Sequence, residues 1–291
     1  MRSPCLWVIV GMLFAPITAW AQLPDLRSRS AVAIDPASGD ELYAKHADDV
    51  RPIASTTKIF VALAVREHGL DLDGWTAISK GDAWAARGGS RTRLDVGDRF
   101  TNRDLLRAML IASDNRAPTA LARAAGMDPD QLVAAMNKVA KRLGLAHTRF
   151  TDPNGLRGNV STARELALAL HAALADDVLA SIMAEREALV VGKGGRPHID
   201  YTSTNQPLRE KAWDVIGGKT GYTDSAGYCF VTEARIAGRK VVMAFLHSDG
   251  KNERFADFDR VASWLDRTPV AKEHRAETPA HGRSRVAAGD E

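Results

Sequence analysis

The sequence predicts an α+β fold, an antiparallel sheet flanked by helices with an all-helical lobe inserted into it. Three observations predict this. Strand-like runs lie near both ends of the chain and helix-like runs fill its middle. The late strand-like runs 213–222, 227–236 and 240–246 are joined by connections so short that consecutive strands must be antiparallel neighbours. The middle segments repeat their apolar residues at helical spacing.

Taken in order, the chain begins with Arg2, an apolar run from Leu6 to Ala15, and the small-residue pattern Ala19-Trp20-Ala21. This reads as an export signal cleaved after Ala21, which would place the mature chain in the periplasm. The apolar run is short for a membrane anchor and Pro16 interrupts it. Residues 31–35 and 41–44 form a hairpin about the turn-rich Pro36-Ala37-Ser38-Gly39-Asp40. Next come Ala54-Ser55-Thr56-Thr57-Lys58 and the apolar run 59–65. That run is apolar nearly all round, so it predicts a buried helix, stopped at His68-Gly69-Leu70.

Amphipathic helices are expected at 102–112, 116–125, 129–143 and 162–174. Thr101 or Asn102 would cap the first, Asp128 the third and Ser161 the fourth. The lobe they form is inserted at about 70–190 of a catalytic domain spanning 22–266. The three late strands follow the Gly-rich stretch 192–195, and the early hairpin can complete their sheet. A last helix covers 254–265, and the polar, Pro-containing stretch 267–291 reads as a disordered tail without an anchoring face.

Composition narrows the function. The 291 residues are 45% apolar, as in a globular protein, and 39 basic against 36 acidic residues give a net charge of +3. No nucleic-acid partner is expected from so balanced a chain. Once Cys5 leaves with the signal only Cys229 remains, a small hydrophobe in a strand-like run, so no internal disulfide can form. There is no His-Glu-x-x-His pattern, no cysteine pair for zinc, no Gly-x-Ser-x-Gly elbow and no phosphate loop, so no metal or cofactor is expected.

Three short motifs carry chemistry. Ser55 and Lys58 are three residues apart, on one face of a helix. A hydroxyl attacks well only when a base takes its proton, and a lysine serves once burial or a second cation lowers its pKa. Ser113-Asp114-Asn115 lies between two lobe helices, and Lys219-Thr220-Gly221 with Tyr222 lies on a late strand. Each alone has an ordinary alternative: Ser55 as a helix cap, the Ser113 group as a cap for the next helix, Lys219-Thr220-Gly221 as a strand-end turn. The ordered set of three is far more specific.

That set resembles the motifs of penicillin-binding proteins and class A β-lactamases. The similarity is wider: Arg51 to Lys58, Asp152-Pro-Asn-Gly-Leu156 with Asn159-Val-Ser-Thr162, and Lys219 to Thr223 with Ala226-Gly-Tyr-Cys229 resemble the low-molecular-mass D-alanyl-D-alanine peptidases, in particular the endopeptidase branch. The resemblance implies a β-lactamase/DD-peptidase-like fold and a serine D-Ala-D-Ala peptidase acting on peptidoglycan peptide stems and binding β-lactam antibiotics. It makes Ser55 the nucleophile, Lys58 its base and Ser113 a proton relay. Asn115 would hold substrate or Lys58, and Lys219 would add a second charge that keeps Lys58 neutral. Thr220 and Arg254 would bind a substrate carboxylate, and the backbone N–H groups of Ser55 and Tyr222, beside Gly221, would form the oxyanion hole. A class A β-lactamase would need an activating glutamate after the second motif, and 150–161 contains none. A wall-binding protein without activity would not need all these residues. Within the family, the few residues after Leu265 leave no room for the additional domain and anchor of many carboxypeptidases, which favours the endopeptidase.

Overall fold

The structure, a computed structural model, describes residues 23–268 except Arg91; the expected export signal and most of the expected tail lie outside the described residues. β1 (Ser30–Ile34) and β2 (Glu41–Lys45) come first, then β3 (Arg51–Pro52), a 3-10 turn (Ala54–Thr57) and α1 (Lys58–Glu67). The inserted lobe follows with β4 (Trp75–Ala77), α2 (Lys80–Ala85), β5 (Arg99–Thr101), α3 (Asn102–Ile111), α4 (Ala117–Ala124) and α5 (Pro129–Arg142). Then come β6 (Val160–Ser161), α6 (Ala163–Ala173), α7 (Asp177–Met183), β7 (Glu187–Val191), β8 (His198–Thr202) and α8 (Gln206–Glu210). The chain closes with β9 (Asp214–Thr223), β10 (Gly227–Ile236), β11 (Arg239–Ser248) and α9 (Glu253–Arg267).

One antiparallel sheet in the order β2-β1-β11-β10-β9 organises the molecule. The early hairpin docks beside β11, as expected, with Val32 opposite Ala244. β10 and β11 are joined by Ala237 and Gly238 alone, both at positive φ (50° and 78°). Two left-handed residues match the twist of the flanking strands. Alternation along β11 feeds two cores: Val242, Ala244 and Leu246 face the lobe and α6, while Val241, Met243 and Phe245 face α9. The sheet is therefore covered on both sides.

α1 is buried through eight consecutive residues, Lys58 to Val65, which is what its unbroken apolar run requires. Phe60 packs against Phe150 with ring centroids 4.5 Å apart and planes tilted by 50°. Truncating it to Ala would cost about 3–5 kcal/mol in lost burial and a cavity.

Several boundaries differ from expectation. The fourth lobe helix is capped by Thr162, whose Oγ1 accepts from Glu165 N, not by Ser161. Ser161 is in β6, paired with Arg51, and its hydroxyl meets that of Thr148. That helix, α6, lies across β1, β10 and β11 rather than within the lobe. The lobe also carries two short strand pairs, β4–β5 and β7–β8, and the latter takes the insertion past 190. α9 runs to Arg267, so the expected tail starts one residue too early.

Candidate active site

Ser55 sits in the 3-10 turn that leads into α1. The residue before it, Ala54, is held at φ +47°, and Ser113 at φ +65°. Left-handed conformations in non-glycine residues store strain of roughly 1–3 kcal/mol each and persist only where the surroundings impose them. At Ala54 the surroundings are visible. A Cβ on Gly155 would lie 1.9 Å from the Ala54 carbonyl oxygen, and one on Gly221 would lie 3.0 Å from Ser55 N. The turn is thus clamped between the loop after the lobe and the edge strand β9, and both neighbours approach closely because they are glycines.

Lys58 enters beneath Ser55 from the first turn of α1 and is fully buried. Its Nζ lies 2.9 Å from Ser55 Oγ, 2.7 Å from Asn115 Oδ1 and 3.2 Å from the Asn154 carbonyl oxygen. These three acceptors satisfy an ammonium. In the neutral amine two of them still take its two hydrogens, which leaves the lone pair for the Ser55 hydroxyl. Burial brings the Lys58 pKa down to about 7, and the negative charges of Asp114 and Asp152 oppose that fall.

This corrects the expectation that Lys219 keeps Lys58 neutral. The leading cause is desolvation of the amine. The like-charge repulsion is registered instead at Lys219, whose pKa is pushed well below the lysine range by its own burial first, then by Lys58 and Arg254. Repulsion must act on both amines, but for each of them the removal of water is the larger effect.

The Ser113-Asp114-Asn115 turn joins α3 to α4. Asp114 is its anchor: the carboxylate accepts from Arg93 N (2.8 Å), Arg116 N (3.0 Å) and the Tyr201 hydroxyl (3.1 Å). Asn115 Nδ2 donates to the Ser90 oxygens at 3.4–3.5 Å, which directs its Oδ1 at Lys58. The Ser113 hydroxyl is buried with no hydrogen-bond partner.

On the opposite wall β9 carries Lys219, Thr220, Gly221 and Tyr222, in register with Val231, Phe230, Cys229 and Tyr228 of β10. Lys219 Nζ donates to the Thr220 carbonyl at 2.9 Å. Thr220 Oγ1 donates to Thr204 Oγ1 at 2.7 Å. Tyr222 is half-exposed and stacks on Tyr228 at 4.3 Å. Arg254 lies behind this strand, its guanidinium over the Tyr228 and Phe255 rings, and Nη1 donates to the Gly221 and Cys229 carbonyls. Burial lowers its pKa to about 10, which leaves it charged at neutral pH. Cys229 is buried, and desolvation raises its thiol pKa to about 11, so it is an inert core residue.

All the expected residues converge. Ser55, Ser113, Asn115, Thr220, Gly221, Tyr222 and Arg254 line one cleft of about 1160 Å³, with Lys58 and Lys219 buried beneath it. The roles of Asn154 and Asn159 were not foreseen. Asn159 Oδ1 accepts from Thr151 N and Asp152 N, and its Nδ2 donates to Thr57 Oγ1 and the Asp152 carbonyl. It fastens the 151–159 loop to the turn that bears Ser55. Both asparagines lie in stretches that carry the family resemblance, but locally the Asp-Pro-Asn-Gly sequence reads as a surface turn and assigns neither of them a role. The Asp152 carboxylate in that loop accepts four N–H groups, from Asn154, Gly155, Leu156 and Arg157. It is committed to loop geometry and is not a free base.

A serine beside a buried lysine, a second serine across a cleft and a strand-borne Lys-Thr-Gly define a serine acyl-transfer enzyme of the penicillin-recognising class. A family model for D-alanyl-D-alanine carboxypeptidase matches residues 17–250, and the chain belongs to that family of low-molecular-mass serine peptidases. It is 35% identical over 243 residues to a D-alanyl-D-alanine endopeptidase of Pseudomonas aeruginosa, covering 83% of this chain and 78% of that one. A D-alanyl-D-alanine endopeptidase of Escherichia coli is 32% identical, with 84% and 79% covered. A D-alanyl-D-alanine carboxypeptidase of Mycobacterium tuberculosis is 33% identical, with 84% and 83% covered. Among solved structures, a DD-transpeptidase from Streptomyces superposes with a TM-score of 0.77 at 29% identity, covering 84% of this chain and 98% of that one.

Proposed function

We propose that the protein is a serine D-alanyl-D-alanine endopeptidase that opens peptidoglycan peptide cross-links through an acyl-enzyme. The observation that carries this reading is the contact of the buried Lys58 amine with Ser55 Oγ, 2.9 Å apart. Neutral Lys58 takes the Ser55 proton as Oγ attacks the carbonyl of the D-alanine at the scissile bond. The backbone N–H groups of Ser55 and Tyr222 receive the developing oxyanion, an electrostatic contribution usually larger than any other in such sites. The Ser113 hydroxyl, unpartnered in the free protein, passes a proton to the leaving amine. Water then hydrolyses the ester and releases the acyl stem. Lys219 and Thr220 attract the carboxylate next to the scissile bond, and Arg254 braces β9 through Gly221 while adding positive charge.

The endopeptidase branch is supported by the Pseudomonas and Escherichia relatives, both named D-alanyl-D-alanine endopeptidases. Carboxypeptidase action is the second reading, supported by the name of the matching family and of the Mycobacterium relative. Substrate lies outside the inner membrane, so this function requires the export expected from the N-terminus. β-Lactams would acylate Ser55 as substrate mimics. Digestion of purified muropeptides tests both readings. Cross-linked dimers should fall to monomers with the wild type and persist with Ser55→Ala. Release of terminal D-alanine from monomers with dimers untouched would select the carboxypeptidase instead, and rapid turnover of nitrocefin would point to a β-lactamase.

A further inference from the structure

Thr220 faces the cleft, yet in the free protein its hydroxyl hydrogen is committed elsewhere: Oγ1 donates to Thr204 Oγ1 at 2.7 Å. Thr204 is half-buried in the segment between β8 and α8 and lines the same cleft. Its own hydroxyl donates to the Ile111 carbonyl at 3.3 Å, and its backbone N–H donates to that same oxygen at 3.0 Å. Ile111 is the last residue of α3, so its carbonyl is one of those that a helix end leaves without an intrahelical partner. It stands just before the Ser113-Asp114-Asn115 turn. Thr204 therefore links the lobe wall to the motif strand β9 through one residue. The segment is also held without that hydroxyl: Ser203 N donates to the Arg186 carbonyl, Asn205 N to Ser203 Oγ, and Asn205 Oδ1 caps α8 by accepting from Leu208 N.

We propose that Thr204 is a positioning residue that sets the Thr220 hydroxyl for the carboxylate of the substrate. The inference rests on the reading of Thr220 as a carboxylate ligand and adds what orients it. A hydroxyl has one hydrogen to give and two lone pairs to receive. In the free protein the donations run from Thr220 to Thr204 and from Thr204 to Ile111. When a carboxylate arrives, both hydroxyl hydrogens turn about their C–O bonds. Thr220 then donates to the carboxylate, and Thr204 donates to Thr220 Oγ1 in place of Ile111. The total number of hydrogen bonds is unchanged. The bond given up is the long one, and the Ile111 carbonyl keeps its shorter bond from Thr204 N, so no buried group is stranded. The contact between the two hydroxyl oxygens survives the exchange and holds Thr220 Oγ1 in place. Donation from Thr204 also strengthens Thr220 as a donor toward an anion, because hydrogen bonds in a chain polarise one another. Without the Thr204 hydroxyl, Thr220 would lose both its anchor and that polarisation.

The test compares wild type with Thr204→Val, which keeps the side-chain shape without the hydroxyl, and with Thr204→Ser, which keeps the hydroxyl. Each is acylated by benzylpenicillin and by its methyl ester, in which the carboxylate is masked, in competition with a fluorescent penicillin. Thr204→Val should lower the efficiency of acylation by the free acid about tenfold, the scale of one hydrogen bond, through a higher half-saturating concentration. The limiting rate, and acylation by the ester, should stay within about twofold of wild type. Thr204→Ser should restore the free acid to within about twofold. Unchanged acylation of Thr204→Val by the free acid, an equal fall on acid and ester, or no restoration by Thr204→Ser would overturn the proposal. A wild type that takes acid and ester equally well would instead overturn the carboxylate reading of Thr220, and one that penicillin does not label would overturn the acyl-enzyme itself, so the failures are distinct.

Discussion

On the sheet wall of the cleft, Lys219 to Tyr222 belong to a ten-residue strand whose position is set by its ladder with β10. On the lobe wall, Ser113 to Asn115 and the 151–159 loop have no such ladder. They are held by side chains gripping backbone: Asp114 takes two N–H groups and a phenol, Asp152 takes four N–H groups, and Asn159 ties its loop to Thr57. Every residue brings its own backbone groups to a ladder, so the sheet wall tolerates side-chain change and is sensitive to crowding. The lobe wall depends on particular carboxylates and amides, so it is sensitive to the loss of single atoms.

The largest effect is expected where both walls meet. Lys58→Ala should slow acylation by fluorescent penicillin about 10³-fold or more, since it removes the base itself. Next is the sheet wall. Gly221→Ala places a Cβ 3.0 Å from both the Ile53 carbonyl and Ser55 N, backbone atoms that cannot swing aside. β9 must retreat from Ser55, and acylation should fall about 10²–10³-fold, as when an oxyanion donor is displaced. The melting temperature should change little, because the β9–β10 ladder remains. A variant that loses stability but keeps acylation would break the distinction between the walls.

The lobe wall should respond in the opposite proportion. Asn159→Ala leaves Thr57 Oγ1 and two N–H groups without their partner, and should cost about 2–3 kcal/mol of stability, read as a lower denaturant midpoint. Acylation should drop by only about tenfold, because Lys58 stays on α1 and Ser55 on the turn that leads directly into it.

The smallest effect is a shift in pH dependence. Neutral Lys58 is the active form, so wild-type acylation should rise with pH through about 7, where the amine loses its proton. Asp114 holds that pKa up, so Asp114→Asn should move the rising limb to lower pH as well as lowering the plateau. A limb that moves to higher pH would mean that Asp114 acts on Lys58 other than through its charge.

Much of the architecture was legible because its elements are long and periodic. The strands after residue 213 are ten residues long with very short connections, and the helices near 102, 129 and 162 repeat their apolar face. What escaped was short or blurred. In β7 Ala188 and Val190 are buried while Leu189 is half-exposed, so the strand reads as a uniform apolar run with no alternation. α8 has five residues, fewer than two turns. Ser161 and Thr162 are equally good caps on paper, and the choice fell to pairing with Arg51, which drew Ser161 into a strand.

The sequence by itself determined the reacting groups, their order along the chain and the class of fold, because three motifs at fixed positions and two periodicities are local properties. Tertiary structure alone decided how Lys58 becomes a base. Its pKa depends on how completely water is removed from the amine and on the distance to Asp114 and Asp152, carboxylates that lie 56 and 94 positions further along the chain. It also decided that Asn154 and Asn159 serve the site. Such groups meet only when the sheet, lobe and loop close on one another, and no spacing along the chain records that meeting.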